Sequence, residues 1–440
     1  MRGKKLIAVT MAALLCAGAF AGCSGGGNSA AGSAAPSAGS TPAAGSAANG
    51  QAVTLKALWG QSTTDAGMEK KVDEALAKKY PNIHITWECV DWGKDFQPKM
   101  QVYMQSGLPD IMVGKAQDVS TYGSQGLLGD LTGKDYMNQV LDAAKTGVTL
   151  KGKVYGLTYN AQYQGVYYNK AIFAKYNLKV PTTQAELQTI IDTLKKNNIT
   201  PFGTHFVDSW SIGNMTMQFA VNDVFNKTPD WGDQFRAGKA SFTTSPEYKK
   251  CYEYNKLIYD NTWKNQTFST EQTACDAKIV SGQAAMKVSG SWSIQNFLDV
   301  DKNFKFGIFP FPNQTGDSKL LFEPNMTFMK SAKSSQQDAI DKVFEVIATD
   351  KDLGVEICNY TKTASMIKNV TPTFTNPSQE DIDTYVKENK IQDVNLGNNQ
   401  LKWGGFQEEN AKDIAEYLQG KITLDQALKA ADARKATSKA

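Results

Sequence analysis

Residues 151–194, KGKVYGLTYNAQYQGVYYNKAIFAKYNLKVPTTQAELQTIIDTL, constrain this chain more than any other stretch. They open on Val154-Tyr155-Gly156-Leu157 and continue through Gly165-Val166-Tyr167-Tyr168-Asn169-Lys170. Both runs are rich in aromatic and β-branched residues, which predicts strands. The polar residues Thr158-Tyr159-Asn160-Ala161-Gln162 read as a bridge between them. Pro181 stops the next segment. Thr183, with Glu186 three residues on, then forms a capping box ahead of Leu187, Ile190, Ile191 and Leu194 at helical spacing.

The flanking chain repeats these ingredients. Residues 53–58 predict a strand that ends in Trp59-Gly60-Gln61-Ser62-Thr63. Met68, Val72, Leu76 and Tyr80 recur every four residues as one helix face. Ile83, Ile85 and Trp87 alternate with His84, Thr86 and Glu88, a strand buried on one side. Phe96, Met100 and Met104 mark a helix, and residues 110–113 a short strand. Past the central stretch, residues 247–259 and 271–280 read as helices, and 284–288 and 306–310 as strands. Ile340, Val343, Phe344 and Ile347 form a helix stripe, and Thr423 with Gln426 caps a last helix. Alternating strands and helices predict an α/β fold with a parallel sheet covered on both sides. A length of 440 residues accommodates more than one domain.

The N-terminus reads as an address. Arg2, Lys4 and Lys5 precede an apolar run, residues 6–20, and Ala21-Gly22-Cys23 closes it with small residues. This is the shape of a signal peptide, and the run is short for a membrane span. Residues 24–51 are almost all Ser, Gly, Ala, Pro, Asn and Thr, which cannot bury enough surface to fold and predict a flexible tether. The formal charge of +3 is supplied by the three leader cations. The rest is neutral, and no basic stripe offers itself to nucleic acid. Beyond the leader stand Cys89, Cys251, Cys275 and Cys358. They read either as free buried thiols or as disulfide partners, with Cys251 and Cys275 on helices that could meet. No CxxC pair points to zinc.

The catalytic inventory is thin. His84 and His205 are the only histidines, and beyond the leader and tether GxSxG, HExxH and P-loop motifs are absent. Asp299-x-Asp301-x-Asn303 imitates the start of a calcium loop, but Phe304 stands where Gly is needed and Pro310 where the bidentate Glu belongs. Neither metal nor cofactor is expected. What stands out instead is aromatic and amide residues in loops. Aromatic rings suit the C–H faces of sugars, and amides and carboxylates suit their hydroxyls. Ligands of α/β sheets meet the carboxyl ends of strands. On that ground Trp59, Gln61, Ser62 and Thr63 after the first strand, and Lys115, Gln117 and Asp118 after residues 110–113, are candidate ligand contacts.

Four motifs in order carry a resemblance. They are Gly107-Leu108-Pro109-Asp110-Ile111, the central YGL…YYNKAIFAKYNL…P-T-T-x-x-E-L stretch, Gly282-Gln283-Ala284-Ala285-Met286 ahead of Gly290-Ser291-Trp292, and Gly420-Lys421-Ile422-Thr423-Leu424-Asp425. Over about residues 53–435 the chain resembles bacterial extracellular solute-binding proteins of family 1, the maltodextrin-binding type. The resemblance implies a two-lobe, periplasmic-binding-protein-like fold of type II. Its hinge would have about three crossings, near residues 160, 324 and 372. It further implies a lipoprotein signal peptide over 1–22 and a lipid-anchored tether over 23–52, with Cys23 acylated after cleavage. The N-terminal lobe would take 53–160 and 325–372, and the C-terminal lobe 161–324 and 373–435.

It adds site residues too. Gln162 falls in the first crossing, Asp208 and Trp210 near a further contact, and Glu323 and Asn325 at the second crossing. Trp292 matches a tryptophan that stacks on sugar, and Trp403 precedes the closing helices, where another aromatic is common. Gln117 is neutral where relatives often carry charge, which points away from maltodextrin itself.

The implied function is that of a monomeric receptor on a Gram-positive cell surface, lipid-anchored to the outer face of the cytoplasmic membrane. It would capture an oligosaccharide between its lobes and deliver it to the permease subunits of an ABC importer, breaking no bond. The alternatives are a receptor for another solute, such as a peptide or polyol, and a secreted carbohydrate-active enzyme.

Overall fold

A computed structural model describes residues 52–61, 66–396 and 406–436 of the chain. The expectations for the signal peptide, the tether, Cys23, Ser62, Thr63 and Trp403 lie outside the described residues.

The strands are β1 (Val53–Gln61), β2 (Ile83–Asp91), β3 (Ile111–Gly114), β4 (Thr149–Leu150), β5 (Lys153–Val154), β6 (Leu157–Asn169), β7 (Thr200–Phe202), β8 (Ala284–Gly290), β9 (Phe306–Phe309), β10 (Leu320–Lys330), β11 (Ala364–Ser365) and β12 (Ile391–Asp393). The pair β4–β5 stands apart as a small antiparallel ladder. The other ten form one mixed sheet in the order β2-β1-β3-β10-β6-β8-β7, with β9 and β11 added to β6 and β12 to β10. The helices that concern the site are α1 (Met68–Lys79), α2 (Gln97–Ser106), α3 (Ala116–Gly123), α4 (Gln184–Lys196), α5 (Ser209–Ala220), α6 (Gln272–Val280), α7 (Trp292–Val300) and α8 (Lys351–Thr361).

Two strands organise the sheet. β6 and β10 run antiparallel from Leu157↔Phe328 to Gln164↔Leu321. At one end they join β3 and β11, with Thr327 opposite Gly114 and Asn160 opposite Ser365. At the other end they join β8 and β12, with Gln164 opposite Gly290 and Leu321 opposite Gln392. The buried apolar residues divide accordingly. One core gathers Leu55, Ala57, Leu157, Ala161, Met326, Phe328, Phe344 and Val370. A second, in the opposite lobe, gathers Val166, Ile190, Phe219, Phe309, Leu321, Val394 and Leu428, and a smaller cluster joins each of them, around Phe96 and Met112 and around Phe297 and Phe306. The chain is thus a two-lobe α/β protein, and β6 and β10 pass from one lobe to the other.

The polar residues 158–162 are part of one thirteen-residue strand rather than a bridge between two. Their side chains explain it. Thr158 Oγ1 meets Thr327 Oγ1 at 3.1 Å, and Asn160 Nδ2 donates to Thr363 Oγ1 at 2.9 Å. A polar residue enters a buried strand when its hydrogen bonds are made there. The expected helix at Phe96 begins instead with a π-helical turn, Trp92–Phe96, that leads into α2. The capping box of Thr183 and Glu186 opens α4, and that of Thr423 and Gln426 opens the helix Leu424–Ala433. No disulfide joins Cys251 to Cys275. Both are buried thiols, as is Cys358, and burial pushes those of Cys275 and Cys358 up to about 12.

Candidate functional site

The carboxyl ends of β3 and β8 approach the crossing strands from opposite lobes. Gly114 closes β3 opposite Thr327, and Gly290 closes β8 opposite Gln164. Residues directly opposite on antiparallel strands share a face. The pairs Thr158↔Thr327, Asn160↔Asn325, Gln162↔Glu323 and Gln164↔Leu321 therefore line one side of the ribbon. The other side carries Tyr159, Ala161, Tyr163, Phe322 and Pro324. One face is thus nearly all amide, hydroxyl and carboxylate, and every polar member of it is buried.

A chain of side-chain bonds leaves this face for the C-terminal lobe. Gln164 Nε2 donates to Glu323 Oε2 at 2.5 Å, and Asn214 Nδ2 donates to Gln164 Oε1 at 3.2 Å. Gln218 Nε2 donates to Asn214 Oδ1 at 2.9 Å and to the carbonyl of Ser289 at 3.3 Å. Asn214 and Gln218 are one turn apart on α5, the helix that carries Trp210.

Trp210 and Trp292 meet edge to face with ring centroids 6.0 Å apart, and His205 lies 5.4 Å from Trp210 on a similar tilt. Trp292 is the first residue of α7, directly after β8 and Ser291. Its indole folds back over Gly290, where a Cβ would meet the ring, so a side chain at that position would have to displace the indole. Both tryptophans are half-buried. Trp292 Nε1 is shielded from solvent yet has no hydrogen-bond partner in the protein. A buried donor left unsatisfied is costly, and a hydrogen-bond acceptor brought to this indole would relieve that cost. His205 is buried, and desolvation, reinforced by the nearby Lys287 charge, holds its imidazole well below the usual range. It stands neutral beside the pair. Asp208 precedes α5 and is exposed, with no capping bond from its side chain.

In the N-terminal lobe two expected contacts have other duties. Trp59 is 1 % exposed and packs on Trp87 and Phe328 with centroids 5.4 and 5.6 Å away. It lies on the same face of β1 as Leu55 and Ala57, which turns it into the core rather than toward a ligand. Asp118 is consumed by its own helix. Its Oδ2 accepts from the Lys115 backbone N–H at 2.8 Å and its Oδ1 from Gln97 Nε2 at 2.9 Å, completing the capping box of α3. Burial raises its carboxyl to about 6 in spite of these bonds.

Gln61 ties the end of β1 to α1, its Nε2 donating to Glu69 Oε2 at 2.7 Å. Lys115 Nζ sits 4.0 Å over the Trp92 ring. Gln117 is buried with both amide atoms lacking a protein partner, the N-lobe counterpart of the Trp292 indole.

The structure therefore gathers the expected residues into three groups: Gln162, Glu323 and Asn325 on the crossing, Trp210 and Trp292 at the end of β8, and Gln61, Lys115 and Gln117 at the ends of β1 and β3. Sequence reasoning missed Gln164, Asn214, Gln218, Trp92 and Tyr360. Alternation from Gln162 points to Gln164, and helical spacing links Asn214 to Gln218. Tyr360, on α8, is 49 % exposed and donates to the Ala66 carbonyl at 3.2 Å, which sets an exposed aromatic against the segment that leads into α1. Among the described residues no cluster of His, Cys, Asp and Glu could hold a metal ion.

Residues 59–353 match the family model of the bacterial extracellular solute-binding proteins. The chain belongs to that family. Its members are binding proteins rather than enzymes. Among curated relatives, the multiple sugar-binding protein of Streptococcus mutans is 24 % identical over 291 residues, 64 % of this chain and 67 % of the relative. The melibiose/raffinose/stachyose-binding protein MelE of Bacillus subtilis is 24 % identical over 261 residues, 55 % of this chain and 57 % of its own. Among solved structures, a chitin oligosaccharide binding protein superposes with a TM-score of 0.72 at 20 % identity, covering 88 % of this chain and 99 % of the other.

Proposed function

We propose that this protein is the extracellular receptor of an ATP-driven importer and that its ligand is a neutral oligosaccharide. The observation that carries the reading is the Trp210–Trp292 pair, with its shielded, unpartnered indole N–H, at the strand end that abuts an amide-lined crossing. Aromatic faces take the C–H surfaces of a sugar, and the amides and Glu323 take its hydroxyls. Apart from Glu323 the polar groups on that face are uncharged, which suits a ligand without charge. The relatives' ligands, multiple sugars for one and melibiose, raffinose and stachyose for another, support the same class.

The rest of the reading rests on the family and on the N-terminal sequence. Sugar enters between lobes divided near residues 160, 324 and 372, the lobes close by hinge motion on the ligand that favours the closed state, and the closed form docks on a permease. Cys23 carries the lipid anchor, the tether sets the receptor just outside the membrane, and the receptor works as a monomer. A thermal-shift screen tests the ligand class, because a ligand of the native state stabilises it by RT ln(1 + [L]/Kd). Raffinose, stachyose, melibiose, xylan and chitin oligosaccharides would be run beside a peptide mixture and polyols. A raised melting temperature with at least one oligosaccharide, and no release of smaller sugars from it, is the expected result. A shift confined to the peptides or polyols overturns the reading.

A further inference from the structure

Behind the two tryptophans lies an ion pair that the binding face does not use. Lys287 on β8 and Asp276 on α6 are bonded to one another with side chains 1 % and 0 % exposed. Taking two charges out of water commonly costs more than their attraction returns, and apolar residues of similar volume often hold a fold as well or better. Stability alone is a weak reason for the pair to be there.

Its hydrogen bonds supply a better one. Lys287 Nζ donates to Ser293 Oγ at 3.2 Å, and Asn296 Nδ2 donates to Asp276 Oδ2 at 2.8 Å. The hydroxyls of Ser289 and Ser293 share a further bond of 2.9 Å. Ser293 and Asn296 are three apart on α7 and so present one face of that helix to the pair. Trp292 directly precedes Ser293. From the other side, Ser291 binds the crossing strand three times: its N–H donates to the Tyr163 carbonyl at 3.0 Å, its Oγ accepts from the Tyr163 N–H at 2.9 Å, and its hydroxyl donates to the same carbonyl at 3.3 Å. The first turn of α7 is therefore gripped between β6 and the ion pair. The indole makes no polar bond of its own, so its placement is inherited from that turn, from Gly290 and from Trp210.

We infer that Asp276 and Lys287 are positioning residues for Trp292: the buried pair fixes the rotation of α7 and with it the place where the indole stands. The functional weight of this rests on Trp292 touching sugar, as proposed above. The residues themselves touch no ligand. A pair kept only for stability would show itself in melting temperature, whereas a pair kept for aim shows itself in the indole and in affinity.

The test uses the full chain labelled with 5-fluorotryptophan, with the fluorine NMR lines of Trp292 and of Trp231 assigned through Trp292→Phe and Trp231→Phe. Trp231 is a core residue of the same lobe and serves as the reference. The double variant Asp276→Leu/Lys287→Met is expected to melt at or near the wild-type temperature. Its Trp292 line should move or broaden while the Trp231 line stays. Raffinose, the probe sugar, should bind about tenfold more weakly, and this loss should vanish in a Trp292→Ala background.

An unmoved Trp292 line in the folded double variant overturns the inference, and so does an affinity loss that persists in full without Trp292. Should the double variant fail to fold, Ser293→Ala/Asn296→Ala cuts the two links while leaving the pair in place, and the same lines decide. If raffinose does not bind the wild type, the fluorine lines alone decide. A moved line together with Trp292→Ala binding raffinose like wild type upholds the positioning role and removes Trp292 from the sugar site.

Discussion

The amide of Gln164 donates to the carboxylate of Glu323 across the two antiparallel strands that pass between the lobes, 2.5 Å from nitrogen to oxygen. The two residues are not opposite in register. Gln164 faces Leu321 and Glu323 faces Gln162, so the bond runs diagonally along the ribbon. It thereby braces the crossing in shear while Asn214 extends the brace to α5. A hinge of two strands bends where its pairing is least supported, and this bond limits where that can be.

Gln164→Leu tests the brace. It removes one hydrogen bond from the buried Glu323 carboxylate and one from Asn214, and a hydrogen bond to a buried charged group is worth about 1–3 kcal/mol. Chemical denaturation should show a loss of that size. Small-angle scattering should show the radius of gyration still falling when sugar is added, since the strands themselves remain. A loss well below 1 kcal/mol, roughly that of a neutral exchange, would mean that Glu323 draws its support from elsewhere.

Asp118 predicts a pH dependence. Burial raises its native carboxyl to about 6, against an ordinary value of 3.8. Between those values the folded chain binds this proton more tightly than the unfolded chain does. The group therefore favours folding at pH 4 and ceases to do so as pH rises through 6. Two units correspond to about 3 kcal/mol. In Asp118→Asn that dependence is gone. The stability difference between variant and wild type should change by about 2.5 kcal/mol from pH 4 to pH 7, in the variant's favour at the higher pH. Denaturation series at both ends of the range measure it, and a constant difference would refute the assignment.

Much of the fold is legible because its signals are local. The capping boxes at Thr183 and Thr423 announce the helices that begin at the next residue, and the alternation of Ile83, Ile85 and Trp87 announces β2. Residues 158–162 are not legible in that way. What makes them a strand is Thr327, Thr361 and Thr363, about 170 to 200 residues further on, with which their side chains bond. Trp59 illustrates a different failure. Its alternation with Leu55 and Ala57 was readable, but which face of β1 is covered depends on α1 and on Phe328. The candidate site divides likewise. Trp292 was found through a motif, whereas Lys287 and Asp276 behind it share no pattern that places them together.

Cys23→Ala addresses the anchor. The motif Ala21-Gly22-Cys23 followed by a Ser-, Gly- and Ala-rich stretch motivates acylation. The variant should leave the membrane fraction or retain its leader, since firm attachment needs more than one acyl chain on the anchor. Fractionation and intact mass read both results. A variant that still fractionates as a processed lipoprotein would show that Cys23 is incidental.

Trp59 and Trp292 make opposite predictions from the same substitution. Trp59 is packed into the N-lobe core between Trp87 and Phe328. Its truncation to Ala should cost about 3–5 kcal/mol of folding stability, as for other buried tryptophans, while molecules that remain folded bind sugar nearly as before. Trp292 is half-buried at the end of β8, with an indole N–H that no protein group satisfies. Trp292→Ala should cost far less stability. It should weaken sugar binding by about 2 kcal/mol or more, as for an aromatic anchor, a rise in Kd of roughly thirtyfold. Denaturation and titration calorimetry on both variants give four numbers whose pattern is the test. If Trp292→Ala destabilises like Trp59→Ala and leaves affinity intact, the ring belongs to the core of its lobe, and the oligosaccharide reading loses its main support.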